Sequence, residues 1–378
     1  MSDPAQPHTP IEGENPAIKH WRNMPRRTLT IALSILPLVA LVNVAVLVYS
    51  LGGIDLSEKL VAPGLLGLAA LLVFIPMIAN SIRLGLWARF LGLEFGFLKA
   101  LKVMTGTMVT NSVTPSSTGA MPIKLLFLMG EGVDSRRSVT LISFQAAEDT
   151  FVTLTTVGLC LGITGYAMFG FLGSDPEILT RLNGTIETAA WIASGTVLAI
   201  AALITMIAVG AFGARVRDWS ARLMRRVKWH IVQIARDWAN VFRQGKGLAL
   251  INLGFTALQW VVRFSIAGLV LAAFDVEWQP ALFWLLQWLV QTISSIVPTP
   301  GGAGGAEAAF LLLFAPFVAI GVLVPAMSTW RLLHFYLPLV GAALTFFLLH
   351  RRDRAKAKAA EREELHDKQD MAMAQPAE

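Results

Sequence analysis

Stretches 28–51, 65–80, 139–173, 188–213, 248–274, 281–297 and 332–349 run almost without charge. Several reach the ~20 residues that a helix needs to cross a ~30 Å hydrocarbon layer. Inside that layer no water satisfies backbone N–H and C=O groups, so each span must satisfy its own. Only 15% of the residues are charged, where a soluble chain carries about a quarter. The deficit fits a surface that meets lipid. These runs predict an all-α, polytopic integral membrane protein, with no soluble domain large enough for a separate activity.

The formal charge of +6 could point to nucleic acid. The basic residues, however, sit at span ends and in one connecting segment, as membrane topology requires. No nucleic-acid-binding module accompanies them, so nucleic acid is not an expected partner. Cys160 is the lone cysteine, which excludes disulfides and Cys-based metal sites. The histidines are scattered without metal-ligand spacing. No nucleotide-binding motif is present, and no cofactor or metal is expected.

Charge also orients the spans. Residues 1–27 read as a disordered cytoplasmic N-terminus ending in Lys19, Arg22, Arg26 and Arg27. The first apolar run is too long for a signal-peptide core and reads as a retained anchor. Asp55 and Glu58 lie beyond it; Arg83, Arg89, Lys99 and Lys102 follow the second span. Segment 103–130 holds two short apolar pieces around the turn-forming stretch 111–119, which predicts a re-entrant hairpin. A second broken element is predicted over 281–324, around Pro298, Pro300 and the glycines Gly301, Gly302, Gly304 and Gly305. The last span, about 327–350, ends in Arg351, Arg352 and Arg354, so 351–378 reads as a charged cytoplasmic tail. The transmembrane domain thus covers 28–350, with about six full spans, two broken helical hairpins and both termini in the cytoplasm of an inner or plasma membrane.

Between 213 and 247, basic residues from Arg215 to Lys246 alternate with Trp219, Leu223, Val227, Ile231, Ile234, Trp238 and Phe242. Apolar residues every three or four positions make an amphipathic helix. Its expected place is the inner leaflet, with arginines at anionic headgroups.

The two broken elements share a pattern. Thr114-Pro115-Ser116-Ser117-Thr118-Gly119 and Thr299-Pro300-Gly301-Gly302-Ala303-Gly304 both read T-P-x-x-x-G. Upstream of each, an arginine (Arg83, Arg263) is followed by apolar residues and a small acidic turn. The charges place one hairpin's entrance in the cytoplasm and the other's outside. The halves, about 63–170 and 248–350, would then be inverted repeats, a common transporter arrangement in which interrupted segments mark the transport site. Chance likeness between two Gly/Pro turns is the alternative.

These motifs resemble the flippase-like family named after the transmembrane region of lysylphosphatidylglycerol synthase. Its first-half signature, T-P-S-x-x-G-G-E-P-x-R, is met at Thr114, Pro115, Ser116, Gly119 and Pro122, with Lys124 in place of arginine. Ala120 and Met121 depart from it. The second-half signature is met by Pro298, Pro300, Gly301, Gly302, Gly304, Glu307 and Arg331. A further E-R-x-x-D pattern is half met, by Glu148, with Asp149 where arginine is expected. The resemblance covers roughly 28–350 and implies movement of a lipid or lipid-linked group between leaflets. Relatives handle aminoacylated phosphatidylglycerol or belong to hopanoid and polyprenyl-lipid pathways. Catalysis in the namesake lies in a separate soluble domain, so this chain is not expected to be the synthase.

A charge within an apolar span costs about 2.5–3.5 kcal/mol on insertion scales, so each one needs a reason. Lys124, Glu148, Arg263, Glu307 and Arg331 are the candidate substrate-binding residues. Lys124 and Arg331 would hold a lipid phosphate, the group that helix N-termini and guanidinium forks favour. Glu307 would pair with them, or with an amine, when lipid is absent. Glu148 and Asp149 point about 100° apart on a helix and cannot form one dyad. Structural ion pairs that fix helix packing are the alternative. Three functions stay open: a lipid flippase, a membrane-embedded enzyme on a lipid-linked substrate, or a non-transporting partner of an envelope-lipid synthase.

Overall fold

Prolines set the helix boundaries in this chain. The computed structural model describes residues 61–113, 120–174, 232, 234–297, 299 and 301–373. The predicted N-terminal segment, the spans 28–51 and 188–213, and residues 213–231 lie outside them. The regular structure of the described part is all helical: α1 (Pro63–Leu72), α2 (Ile75–Phe90), α3 (Phe97–Val113), α4 (Ala120–Gly130), α5 (Ser135–Ser174), α6 (Lys246–Ala273), α7 (Pro280–Ile296), α8 (Gly305–Phe314), α9 (Ile320–Arg331), a π-helical turn (Leu332–Tyr336) and α10 (Leu337–Met373). Residues 234–244 are also helical and lead into α6.

Pro63, Pro76 and Pro280 stand in the first turns of α1, α2 and α7, where a missing N–H costs nothing. Pro76 cannot donate to Leu72, so the ladder breaks there. Val73 and Phe74 keep right-handed helical angles, and the two helices act as one span, Pro63–Phe90. Three further helices are long and apolar enough to cross a membrane: Ser135–Gly165, Lys246–Ala273 and Ile320–Lys356.

Two expected boundaries are corrected here. The apolar piece 306–324 is not one arm: α8 stops at Phe314 and α9 starts at Ile320. Pro316 removes the donor that would have bonded Leu312. The last span therefore begins near 320 rather than 327. Within it the ladder widens into a π turn at Leu332–Tyr336, just before Pro338, which has no N–H to offer.

Each broken element is a pair of helices packed on one another, α3 with α4 and α7 with α8. At 1.5 Å per residue, α4 and α8 measure only ~15–17 Å, half a hydrocarbon core. Packing between halves is reciprocal. α2 lies along α6; α3 packs on α10; α7 packs on α5. Exchanging the halves maps each of these contacts onto its counterpart. The α3–α4–α10 junction is tight, because a Cβ on Gly106 would sit 2.7 Å from the Phe127 ring and 2.8 Å from Phe346. Small residues let helices approach this closely in lipid.

Two aromatic clusters fill the interior. Phe310 stacks on Phe314 (4.3 Å) and Trp330 (4.9 Å) in the second half. Trp87, Phe144 and Trp238 form the other. Trp238 and buried Val241 belong to the described end of the basic amphipathic segment, so part of its apolar face packs on α5 and neighbouring helices. Arg136 and Asp237 pair there at 3.0 Å.

Candidate functional site

The second broken turn is built by glycine. Pro298 and Pro300 lie outside the described residues; Gly301, Gly302 and Gly304 have φ of 60°, 66° and 81°, a region closed to most side chains. Space forbids a side chain as well. A Cβ on Gly301 would stand 2.3 Å from the Phe335 ring, and one on Gly302 2.0 Å from Ser294 Oγ. Thr299 Oγ1 donates to the Ala303 carbonyl at 2.8 Å and closes the turn.

The turn is fastened to the last span by an ion pair. Glu307, in the first turn of α8, accepts from the Gly304 N–H at 2.8 Å, a favourable place for a carboxylate. Its other oxygen lies 2.9 Å from Arg331 Nε. Arg331 Nη2 donates to the Gly301 carbonyl at 2.7 Å, and the guanidinium stacks 4.3 Å from the Phe335 ring. The π turn that follows Arg331 carries His334 and Phe335 to the same side.

A cavity of about 320 Å³ opens where this turn meets α2, α3, α6 and α7. Its wall is polar for membrane depth: Asn80, Thr107, Gln287, Ser294 and the guanidinium-bearing Arg263 and Arg331. Among the described residues of the wall there is no carboxylate. Arg263 Nε donates to Gln291 Oε1 at 3.0 Å, and its guanidinium sits 5.6 Å over Trp260.

The first broken turn, with Thr114, Pro115, Ser116 and Gly119, lies outside the described residues. Its flanks are placed: Asn111 and Ser112 line the cavity, and Pro122 is exposed in the first turn of α4. Lys124 is not in the cavity wall; its ammonium donates to Gln145 Oε1.

Arg83 organises a second polar cluster. Nη1 donates to Asp149 at 2.9 Å, and Nη2 to Glu148 at 2.8 Å and to the Gln145 carbonyl at 3.1 Å. Trp87 Nε1 donates to the other Glu148 oxygen at 2.8 Å. Gln259 and Trp260, from the second half, donate to Asp149 at 2.7 and 3.1 Å. Glu148 and Asp149 do lie on different faces of α5, yet both reach one guanidinium, whose fork spans the gap.

Of the five residues singled out from sequence, Arg263 and Arg331 share the cavity, with Glu307 behind Arg331. Lys124 and Glu148 belong to the Arg83 cluster, which touches the cavity through Asn80. Arg83 itself reads from sequence as a span-end cation, whereas α2 continues to Phe90 and buries it completely. Asn80 at i−3, bonded to Arg83 Nη1 at 3.0 Å, was the available sign of a polar face. Gln287 and Gln291 also escaped notice, although amides four apart on an apolar helix share a face.

The sequence comparisons agree with this architecture. The chain is 24% identical over 243 residues to the inner membrane protein YbhN of Escherichia coli, covering 60% of this chain and 74% of that protein. It is 23% identical over 261 residues to a UPF0104 membrane protein of Archaeoglobus fulgidus, covering 68% and 77%. Residues 29–342 match the family of the lysylphosphatidylglycerol synthase transmembrane region, and the chain belongs to that family of integral membrane proteins.

Proposed function

We propose that this protein moves a phosphate-bearing lipid between leaflets, its headgroup passing through the cavity between the two broken helical elements. One observation carries the reading. The cavity is walled by corresponding parts of both halves, α2 with α3 and α6 with α7, and those halves pack through reciprocal contacts. Inverted repeats that rock about such a site expose it alternately to either side. Interrupted backbone at membrane depth is tolerated where it lines a polar cavity, and the Thr299–Gly304 turn does so. The membrane is taken as the inner or plasma membrane, with both termini cytoplasmic, from the charge distribution.

The test is leaflet exchange. Protein reconstituted into vesicles is supplied with a fluorescent phospholipid, and inner-leaflet label is followed by its accessibility to a membrane-impermeant quencher. Exchange above protein-free vesicles is expected, with loss in Thr107→Trp, which fills the cavity from α3. Absence of exchange with every phospholipid class tried, or full exchange by folded Thr107→Trp protein, would overturn the proposal.

A further inference from the structure

The charges in the described interior do not cancel. In the first cluster Arg83 faces Glu148 and Asp149, and Lys124 lies within electrostatic reach of Asp149. Two cations meet two acids there. In the second, Glu307 answers Arg331; among the described residues Lys124 and Arg263 are then left to share Asp149 through space, and of the two only Arg263 stands in the cavity wall. Its hydrogen-bond partner is the neutral amide of Gln291. Asp149 acts on it only through space, with Oδ1 already taken by Arg83, Gln259 and Trp260. A guanidinium at membrane depth without a carboxylate contact is expensive.

The wall around Arg263 supplies hydrogen-bonding groups in the same state. Gln287, wholly buried, has neither amide atom bonded within the described residues, and the Trp330 indole N–H is likewise unbonded. Both residues line the cavity with Arg263. Leaving such buried groups without a partner is costly. N–H donors beside a cation, with no carboxylate among the described residues of the wall, are complementary to an anion.

We infer that Arg263, with Gln287 and Trp330, selects a lipid headgroup carrying one net negative charge at a phosphodiester, as phosphatidylglycerol does. This rests on the translocation reading and narrows its substrate. One leftover positive charge matches one negative charge. A polyprenyl diphosphate brings at least one more than the cavity can answer. A zwitterionic headgroup brings an ammonium, for which the described wall offers no carboxylate. A lysylated headgroup, net positive, meets Arg263 with like charge. Arg331 is the less suited cation because Glu307 and the Gly301 carbonyl already hold it.

Binding and exchange are measured side by side. Native mass spectrometry of detergent-purified protein uses dioctanoyl phosphatidylglycerol, dioctanoyl phosphatidylethanolamine, lysyl-phosphatidylglycerol and farnesyl diphosphate as probes. Wild type, Arg263→Gln and Arg263→Lys are compared after thermal unfolding shows that each variant folds. Phosphatidylglycerol is expected to bind wild type most tightly. Arg263→Gln should bind it at least about tenfold more weakly and lose the preference, because it gives up a charge-assisted hydrogen bond. Arg263→Lys should fall between. An unchanged preference in Arg263→Gln, or tighter binding of any other probe by wild type, overturns the assignment. If wild type prefers phosphatidylglycerol through Arg263 but exchanges no lipid in vesicles, the site stands and translocation falls. If exchange proceeds while Arg263→Gln leaves the preference intact, translocation stands and the site falls.

Discussion

A single side chain shows how a buried charge can be structural. Arg83 is wholly enclosed and meets two carboxylates, a carbonyl and an amide oxygen. Removing one partner from such a group strands the others without solvent, at a cost of about 3–5 kcal/mol. Arg83→Met should therefore lower the thermal midpoint in detergent by many degrees. The triple change Arg83→Met, Glu148→Leu, Asp149→Asn should recover much of the loss, since it removes the charges together. Recovery absent in the triple variant would mean that Arg83 matters for more than its charge partners. The sequence showed Glu148 and Asp149 as acids within an apolar span but not their partner. Arg83 stands near other basic residues, and only the true end of α2 at Phe90 moves it inside. Boundary errors of a turn matter most for charged residues, whose meaning reverses with depth.

At the level of elements, the second turn was legible because Gly and Pro carry backbone information directly. Three glycines with positive φ within four residues can be read as a break wherever they occur. What could not be read was the fastening. Glu307 and Arg331 lie far apart along the chain, and only folding brings the α8 cap and the last span within 2.9 Å. The glycines also differ in kind. A Cβ on Gly304 meets nothing within 4 Å, whereas one on Gly302 collides with Ser294 Oγ at 2.0 Å. Gly304→Ala should cost only the conformational strain, ~1–2 kcal/mol. Gly302→Ala should cost more, since α7 must also yield. Thermal unfolding of both variants tests the order; equal losses would show that Ser294 simply rotates away. Missing Pro316 as a helix stop was avoidable by the same rule, but a continuous run of apolar residues hid it.

For the whole molecule, the repeat in sequence and the exchange of contacts in space are two views of one arrangement. The T-P-x-x-x-G pairs located the broken elements, yet nothing local to either hairpin told that α3 would lie on α10 and α7 on α5. Those partners are set by the other half of the chain. If the halves rock during transport, such cross-half contacts must slide, and a bridge across one of them should stop the cycle. Lys102 on α3 offers the place, since it binds Asp353 of α10 as well as Glu131 beyond α4. With Cys160 replaced by serine, Lys102→Cys and Asp353→Cys can be joined by a short thiol-reactive bridge. Leaflet exchange should fall toward the protein-free rate when the bridge forms and return when a cleavable version is cut. Asp353→Cys alone should have little effect, because Asp353 is half exposed and surface ion pairs contribute at most about 1 kcal/mol; Lys102→Cys alone, which also strands the half-buried Glu131, is the control against which bridging is read. Exchange undiminished in fully bridged protein would mean that α3 and α10 travel together, and the moving boundary would then have to lie between α5 and α7.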